Sequence, residues 1–166
     1  MIIEPATHAD LDAIDEIEQH SFATPWPRSV FEGELAREWA RVDIVRMRPA
    51  GPIVAFANYW LVALPRAQHA QDPLAAGGGE VHILAISTHP DHRRQGVGAR
   101  LLAHALDQGR AIGATLATLE VRKGNRPAIA LYERAGFKTV HVRAHYYQDN
   151  QEDALVMLAD LTGTPR

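Results

Sequence analysis

The sequence predicts a mixed α/β fold, a mostly antiparallel sheet that holds one parallel strand pair and is flanked by helices. Three observations point there. The β-branched run Val81 to Thr88, the amphipathic pattern Ala99 to Ile112 and the apolar run Thr115 to Val121 follow one another as strand, helix and strand, the order that builds a parallel pair. Two strand-like runs on either side of Pro49-Ala50-Gly51-Pro52 predict a hairpin, and two more close the chain. With 166 residues, 46% apolar and 22% charged, the chain reads as one globular domain over 1–166 with room for a full core.

Each element has a local reason. Met1 to Pro5 reads as a short strand. Thr7 and Asp10 stand at capping-box spacing before Leu11, Ile14 and Ile17, so a helix starts there. Phe22-Ala23-Thr24-Pro25-Trp26-Pro27 breaks it, and Arg28 to Arg37 predicts a second, shorter helix. The hairpin strands are Arg41 to Arg48 and Ile53 to Leu64. Pro65 to Gly79 is an alanine- and glycine-rich connection of a length at which loops are functional or mobile, and mobility is expected. Glu80 to Thr88 is a buried strand, and Arg94 to Ile112 a helix with Val97, Leu101, Ala105 and Ile112 on one face. Gly113 closes that helix. Thr115 to Val121 is a strand, Arg126 to Ala135 a helix closed by Gly136, and Phe137 to Tyr147 with Asp153 to Ala159 the final antiparallel strands.

Composition narrows the function. A net charge of -3 argues against general nucleic-acid binding. The absence of cysteine excludes disulfides, thiolate zinc sites and an acyl-cysteine intermediate. Met1 opens directly into folded-looking sequence, and no apolar run approaches a membrane span, so a cytoplasmic protein without membrane contact is expected, a monomer by default. His82, His89, His92 and His104 lack helical two-ligand spacing, and no metal is expected.

The chemistry centres on Arg93-Arg94-Gln95-Gly96-Val97-Gly98-Ala99, between a strand and a helix. Glycines there let successive N–H groups turn toward one point, and the helix adds the positive end of its dipole, so an anion such as a phosphate is held by main chain. No Gly-Lys-Ser/Thr occurs, which removes the P-loop. A dinucleotide fingerprint fits poorly, because Leu101 stands at the third glycine position and Pro90 to Arg94 separate strand from glycines, although Glu120 lies near the ribose-acid position. The remaining pattern, [Q/R]-x-x-G-x-[G/A], is met by Arg93, Gly96 and Gly98.

That loop, with Leu119-Glu120-Val121-Arg122, Asn125 and Leu131-Tyr132 before Gly136-Phe137, resembles the GCN5-related N-acetyltransferase (GNAT) superfamily over Ile2 to Leu161. Phe22 to Trp26, Arg143-Ala144-His145-Tyr146-Tyr147 and Glu152-Asp153-Ala154 are similar to its RimI branch, whose members acetylate the N-terminal alanine of a small-subunit ribosomal protein. The resemblance implies a parallel pair that splays, with acetyl-coenzyme A as co-substrate. Its contacts would fall on Ile86, Ser87, Thr88, Arg93, Arg94, Gln95, Gly96, Val97, Gly98, Ala99 and Asn125. It also implies Glu120 as general base, Tyr132 as general acid and a protein N-terminus as partner. Two departures, the long Pro65 to Gly79 connection and Ala85 where a polar residue is common, bear on the acceptor.

The residues carry their own logic. An α-amine near pKa 8 is neutral far more often than a lysine near 10.4, so an N-terminus is the easier acceptor. Glu120 could take the amine's proton, directly or through water, with Glu80 as a competing base. A backbone N–H near Ile86 to Thr88 could hold the tetrahedral oxyanion. Plain structural roles stand beside these: Glu120 as a solvent-facing strand residue, Tyr132 as a half-buried aromatic, Asn125 as a helix cap, and Trp26 as a latch over the core, its Pro-stiffened aromatic being equally suited to grip a peptide N-terminus. Of Tyr146 and Tyr147, one is expected in the core and one at the acceptor, with His145 beside them as acceptor contact or proton relay. The alternatives are an enzyme of the same fold acting on a small amine or lysine side chain, and a noncatalytic acyl-coenzyme A sensing module.

Overall fold

The computed structural model describes residues 1–63 and 78–163. Its strands are β1 (Ile2–Pro5), β2 (Ala40–Arg46), β3 (Ile53–Ala63), β4 (Gly79–Thr88), β5 (Ala114–Arg122), β6 (Lys138–Tyr147) and β7 (Glu152–Asp160); its helices are α1 (Leu11–Ser21), α2 (Arg28–Leu35), α3 (Val97–Ala111) and α4 (Arg126–Arg134). Strand order in the sheet is β1-β2-β3-β4-β5-β7-β6, with β4 and β5 parallel. The chain forms two compact units, one of Met1–Tyr59 with Leu84–His104, the other of Trp60–Ile83 with Ala105–Arg166. Among the described residues no helix is long and apolar enough to cross a membrane. Residues 65–77 of the expected mobile connection lie outside the described residues, and its last residue, Gly79, already belongs to β4.

In the first unit, Leu11, Ile14 and Ile17 project from α1 at the spacing of one helix face and pack with Phe31, Val42, Ile44, Phe56 and Ala85. Burying each such Leu or Ile is worth about 1.5–3 kcal/mol. Phe31 meets Phe56 edge-on, ring centres 5.4 Å apart. The Thr7 N–H and hydroxyl both donate to Asp10 Oδ2, at 2.9 and 2.8 Å, so the capping pair forms, around a short 3₁₀ turn that leads into α1. Arg46 of β2 then holds Asp10 at 2.8 Å and Glu4 of β1 at 2.7 Å. The turn after β2 closes through the Gly51 N–H on the Arg48 carbonyl, with Ala50 at φ 53°. A buried carboxylate, Asp43, accepts the Tyr59 hydroxyl at 2.5 Å and faces His104 Nε2 at 3.3 Å. Burial and that carboxylate push the Tyr59 phenol far up.

In the second unit, β4 pairs with β5 from Gly79↔Ala114 to Ile83↔Leu119 and no further. β7 runs antiparallel to β5 from Leu116↔Asp160 to Arg122↔Ala154, and β6 lies on β7 with two register shifts. Alternation buries Val81, Ile83, Ala117, Leu119 and Val121, and turns Glu80, His82, Thr118 and Glu120 to the other face. Gly109 of α3 lies so close to Val81 that an added Cβ would stand 2.0 Å from its Cγ2. The expectation for Ile112 is corrected: it is 47% exposed, because α3 ends at Ala111 and the chain turns through Gly113 at φ 80°. The same helix begins at Val97 rather than Arg94, whose φ of 64° is left-handed.

Candidate active site

The glycine loop belongs to the first unit. After β4 a short 3₁₀ turn, Pro90–His92, leads into Arg93, and Gly96 at φ 79° supplies the left-handed residue ahead of α3. Arg100 N–H is the first to find a helical partner, the Gly96 carbonyl at 3.1 Å. Among the described residues, the main-chain N–H groups from Arg94 to Ala99 have no hydrogen-bond partner. They are the uncapped donors at the positive end of a long helix, which suits a pyrophosphate. Arg94 holds its left-handed φ without being glycine, a conformation sparsely used outside turns and binding loops.

The Arg93 side chain is engaged within the protein. Its Nε donates to the Thr88 carbonyl at 3.0 Å, and its Nη2 to the His20 carbonyl and Ser21 hydroxyl at 3.3 and 3.2 Å. It therefore fastens the loop to the end of β4 and the end of α1. Gln95 likewise turns back to the Asp91 carbonyl. The Ser87 side chain is buried with its hydroxyl unpartnered, so of the trio Ile86, Ser87 and Thr88 this member faces inward.

The second unit brings together a row of polar groups that sequence reading left separate. Glu120 is 15% exposed on β5 and lies between two side chains, Oε1 3.0 Å from Arg143 Nη1 and Oε2 3.2 Å from His82 Nε2. His82 Nδ1 lies 2.8 Å from Thr118 Oγ1, and the Thr118 hydroxyl donates to Glu80 Oε1. The Trp60 ring lies 5.9 Å from the imidazole. Hydrogen bonds from the His82 and Thr118 side chains hold the Glu80 carboxyl below the usual carboxylate range, against its partial burial. Glu80 and Glu120, competing bases in the sequence, are thus the two ends of one row. The cross-strand register His82↔Thr118 makes it, and no local sequence signal reports a register.

Tyr132 is buried on α4 with its ring 5.8 Å from Phe137, and burial pushes its phenol far up. Asn125 caps that helix, accepting the Ala128 N–H at 3.2 Å. Neither tyrosine of the Tyr146-Tyr147 pair enters the core: Tyr146 is 45% exposed and Tyr147 half-buried, on an edge strand exposed along nearly its whole length, with His145 at φ 53° in a register shift. Half-burial pushes Tyr147 up to about 12 against the pull of Arg122, whose guanidinium lies 3.8 Å over its ring. The His145 N–H donates to Asp153 Oδ1 at 3.1 Å. In the first unit, Trp26 lines a hollow of about 350 Å³ with Asp15, Gln19, Pro25, Pro27 and Arg28.

The profile of the Acetyltransferase (GNAT) family matches residues 11–137, which include both the loop and the polar row. The chain belongs to this family. As a GNAT protein it is 33% identical over 150 residues to the ribosomal protein bS18-alanine N-acetyltransferase of Escherichia coli K12, 89% of each chain. It is 33% identical over 162 residues to the N-alpha-acetyltransferase RimI of Mycobacterium tuberculosis, covering 96% of this chain and 91% of that one. The crystal structure of the ribosomal-protein-S18-alanine N-acetyltransferase from Escherichia coli superposes with a TM-score of 0.79 at 31% identity, over 98% and 95% of the two chains. The α/β architecture with one short parallel pair is the GNAT fold that the sequence motifs imply.

Proposed function

We propose that this protein is a cytoplasmic acetyl-coenzyme A dependent N-acetyltransferase whose acceptor is the α-amine of a protein N-terminus, the N-terminal alanine of a small-subunit ribosomal protein. The observation that carries the reading is Glu120, a mostly buried carboxylate between Arg143 and His82 in a GNAT chain whose relatives bear that activity in their names. The bare amides from Arg94 to Ala99 would hold the pyrophosphate, with the main chain of Ile86 to Thr88 and Asn125 along the rest of the co-substrate. Trp26, His145, Tyr146 and Tyr147 would meet the acceptor peptide.

In the reaction the amine's lone pair forms the N–C bond, the C–S bond breaks with its pair on sulfur, and the amine's proton leaves toward Glu120. A positioned base contributes about 100- to 10,000-fold. Tyr132, kept protonated by burial, is a standing hydrogen-bond donor for the departing thiolate. In this reading Tyr132 gives its phenol proton to the thiolate as the C–S bond breaks and regains one from solvent after turnover.

The test is acetyl transfer from labelled acetyl-coenzyme A to peptides differing only in their first residues, beside N-blocked lysine peptides and polyamines. Turnover confined to free Ala or Ser N-termini supports the reading. Turnover only on lysine or polyamines replaces the acceptor class, and cofactor binding without turnover on anything replaces catalysis with sensing.

A further inference from the structure

We propose that His82 and Glu120 accept the amine's proton as a pair, and that Thr118 and Glu80 fix the imidazole in the tautomer that makes this possible. The proposal rests on the acetyltransferase reading above and concerns the proton that the acceptor amine must lose.

Thr118 has one hydroxyl proton, and it points to Glu80 Oε1. The 2.8 Å contact between Thr118 Oγ1 and His82 Nδ1 therefore draws its proton from the ring, so Nδ1 carries hydrogen. A neutral imidazole has no second one. In that neutral form Nε2 is an acceptor, and it stands 3.2 Å from Oε2 of Glu120. Arg143 holds the other Glu120 oxygen at 3.0 Å, which keeps the carboxylate from turning away and offsets its charge.

A proton arriving between the two makes an N–H···O bond, and every link from Glu80 to Glu120 is then bridged by one hydrogen. The acceptor amine supplies it: as the neutral nitrogen's lone pair forms the N–C bond, one N–H bond breaks with its pair left on nitrogen, and the proton settles between His82 Nε2 and Glu120 Oε2. The imidazole is 24% exposed, so the proton passes on to solvent after turnover. The other groups that face the row are the Trp60 ring from β3 and, from β6, Arg143 and Tyr147, the latter sensing the Glu120 charge. His82 acts through Glu120 and is a positioning and proton-sharing residue. Its place in the chain, two residues from Glu80 in a buried strand, carries no signal of this; the register of β4 on β5 does.

The experiment combines turnover and spectroscopy on the intact protein, with a peptide that begins with free alanine. His82→Asn keeps a donor toward Thr118 and loses the acceptor toward Glu120. Its kcat is expected to fall roughly 10- to 100-fold, with KM for acetyl-coenzyme A within about twofold and the acid limb of kcat/KM moved to lower pH by about one unit. Thr118→Val, a small change, is expected to move the same limb and to turn His82 from the Nδ1–H to the Nε2–H form in nitrogen-15 NMR. His82→Asn combined with Glu120→Gln should be no slower than Glu120→Gln alone. An acid limb that stays in place in both single variants, or a neutral His82 protonated on Nε2 in the unaltered protein, overturns the proposal. The NMR reading needs no turnover, so a protein that acetylates no N-terminal peptide defeats the acceptor assignment and leaves the His82 tautomer to be read separately.

Discussion

The backbone N–H of Trp26 donates to Oε1 of Glu18 across 3.0 Å, and Glu18 itself is 2% exposed on α1. A loop stiffened by Pro25 and Pro27 is thus fastened to a carboxylate inside the protein. Burial pushes that carboxyl up to about 6, Asp15 adds to the shift and the Trp26 N–H opposes it. Oε2 has no partner among the described residues.

Glu18→Gln keeps an acceptor for Trp26 and removes the buried charge. The folded value lies above the ordinary 4.5, so the Glu18 contribution to stability is fully present below that pH and is lost as pH rises through about 6. The variant is expected to be more stable at pH 7.5 by about 1–2 kcal/mol and to melt at nearly the same temperature from pH 5 to 8. Thermal melts across that range test it; a wild-type melting point that does not fall between pH 5 and 7 contradicts the argument.

Glu120→Gln is expected to lower kcat by about 100- to 10,000-fold while KM for acetyl-coenzyme A stays near its original value. The substitution preserves volume and an acceptor oxygen, so circular dichroism should be unchanged. Steady-state kinetics with an alanine-initiated peptide decide it, and retention of kcat would move the base elsewhere.

Arg93→Ala removes three hydrogen bonds that join the glycine loop to Thr88, His20 and Ser21. The donors from Arg94 to Ala99 remain but lose their anchor. Binding of acetyl-coenzyme A should weaken several-fold, with a smaller effect on kcat at saturation, as calorimetric titration and initial rates would show. An unchanged dissociation constant would mean that the loop holds its shape without Arg93.

Two glycines in helices separate packing from backbone freedom. At Gly109 a Cβ would collide with Val81, so Gly109→Ala should destabilise by about 1–3 kcal/mol. At Gly33 in α2 nothing lies within 4 Å, so Gly33→Ala should stabilise by about 0.5–1 kcal/mol. Urea unfolding of the two variants gives both signs, and equal shifts would refute the distinction.

Tyr59→Phe leaves the buried Asp43 carboxylate with His104 but without its 2.5 Å hydroxyl donor. A loss of about 1–3 kcal/mol is expected by urea unfolding, the cost of an acceptor deprived of its partner. A neutral result would show that His104 alone satisfies Asp43.

What was legible in the sequence is what near neighbours decide. Thr7 with Asp10, Asn125 ahead of α4, Gly96 before α3, and Gly113 and Gly136 past helix ends all act within a few residues of themselves, and each stands where its local chemistry puts it. The bond between Tyr59 and Asp43, the row from Glu80 to Glu120 and the seat of Trp26 on Glu18 depend on strand register and helix docking. Composition and periodicity are silent on both. The tyrosine pair shows the limit most clearly: alternation predicts one buried ring, but β6 is an edge strand exposed at every position from Lys138 to Tyr146. Arg93 illustrates another limit, since a motif names the residue but not which of its neighbours the guanidinium will take.

β6 is exposed at every position from Lys138 to Tyr146, including Val140 and Val142, and forms the last strand of the sheet. An edge so rich in β-branched and aromatic residues invites another chain to add a strand of its own. Its two shifts of register and the left-handed turn at His145 break the even spacing of donors and acceptors that such a visitor would have to match. The kinks beside Tyr146 and Tyr147 therefore also guard the protein against fibrous self-association, and straightening this strand would turn an irregular edge into an aggregation hazard.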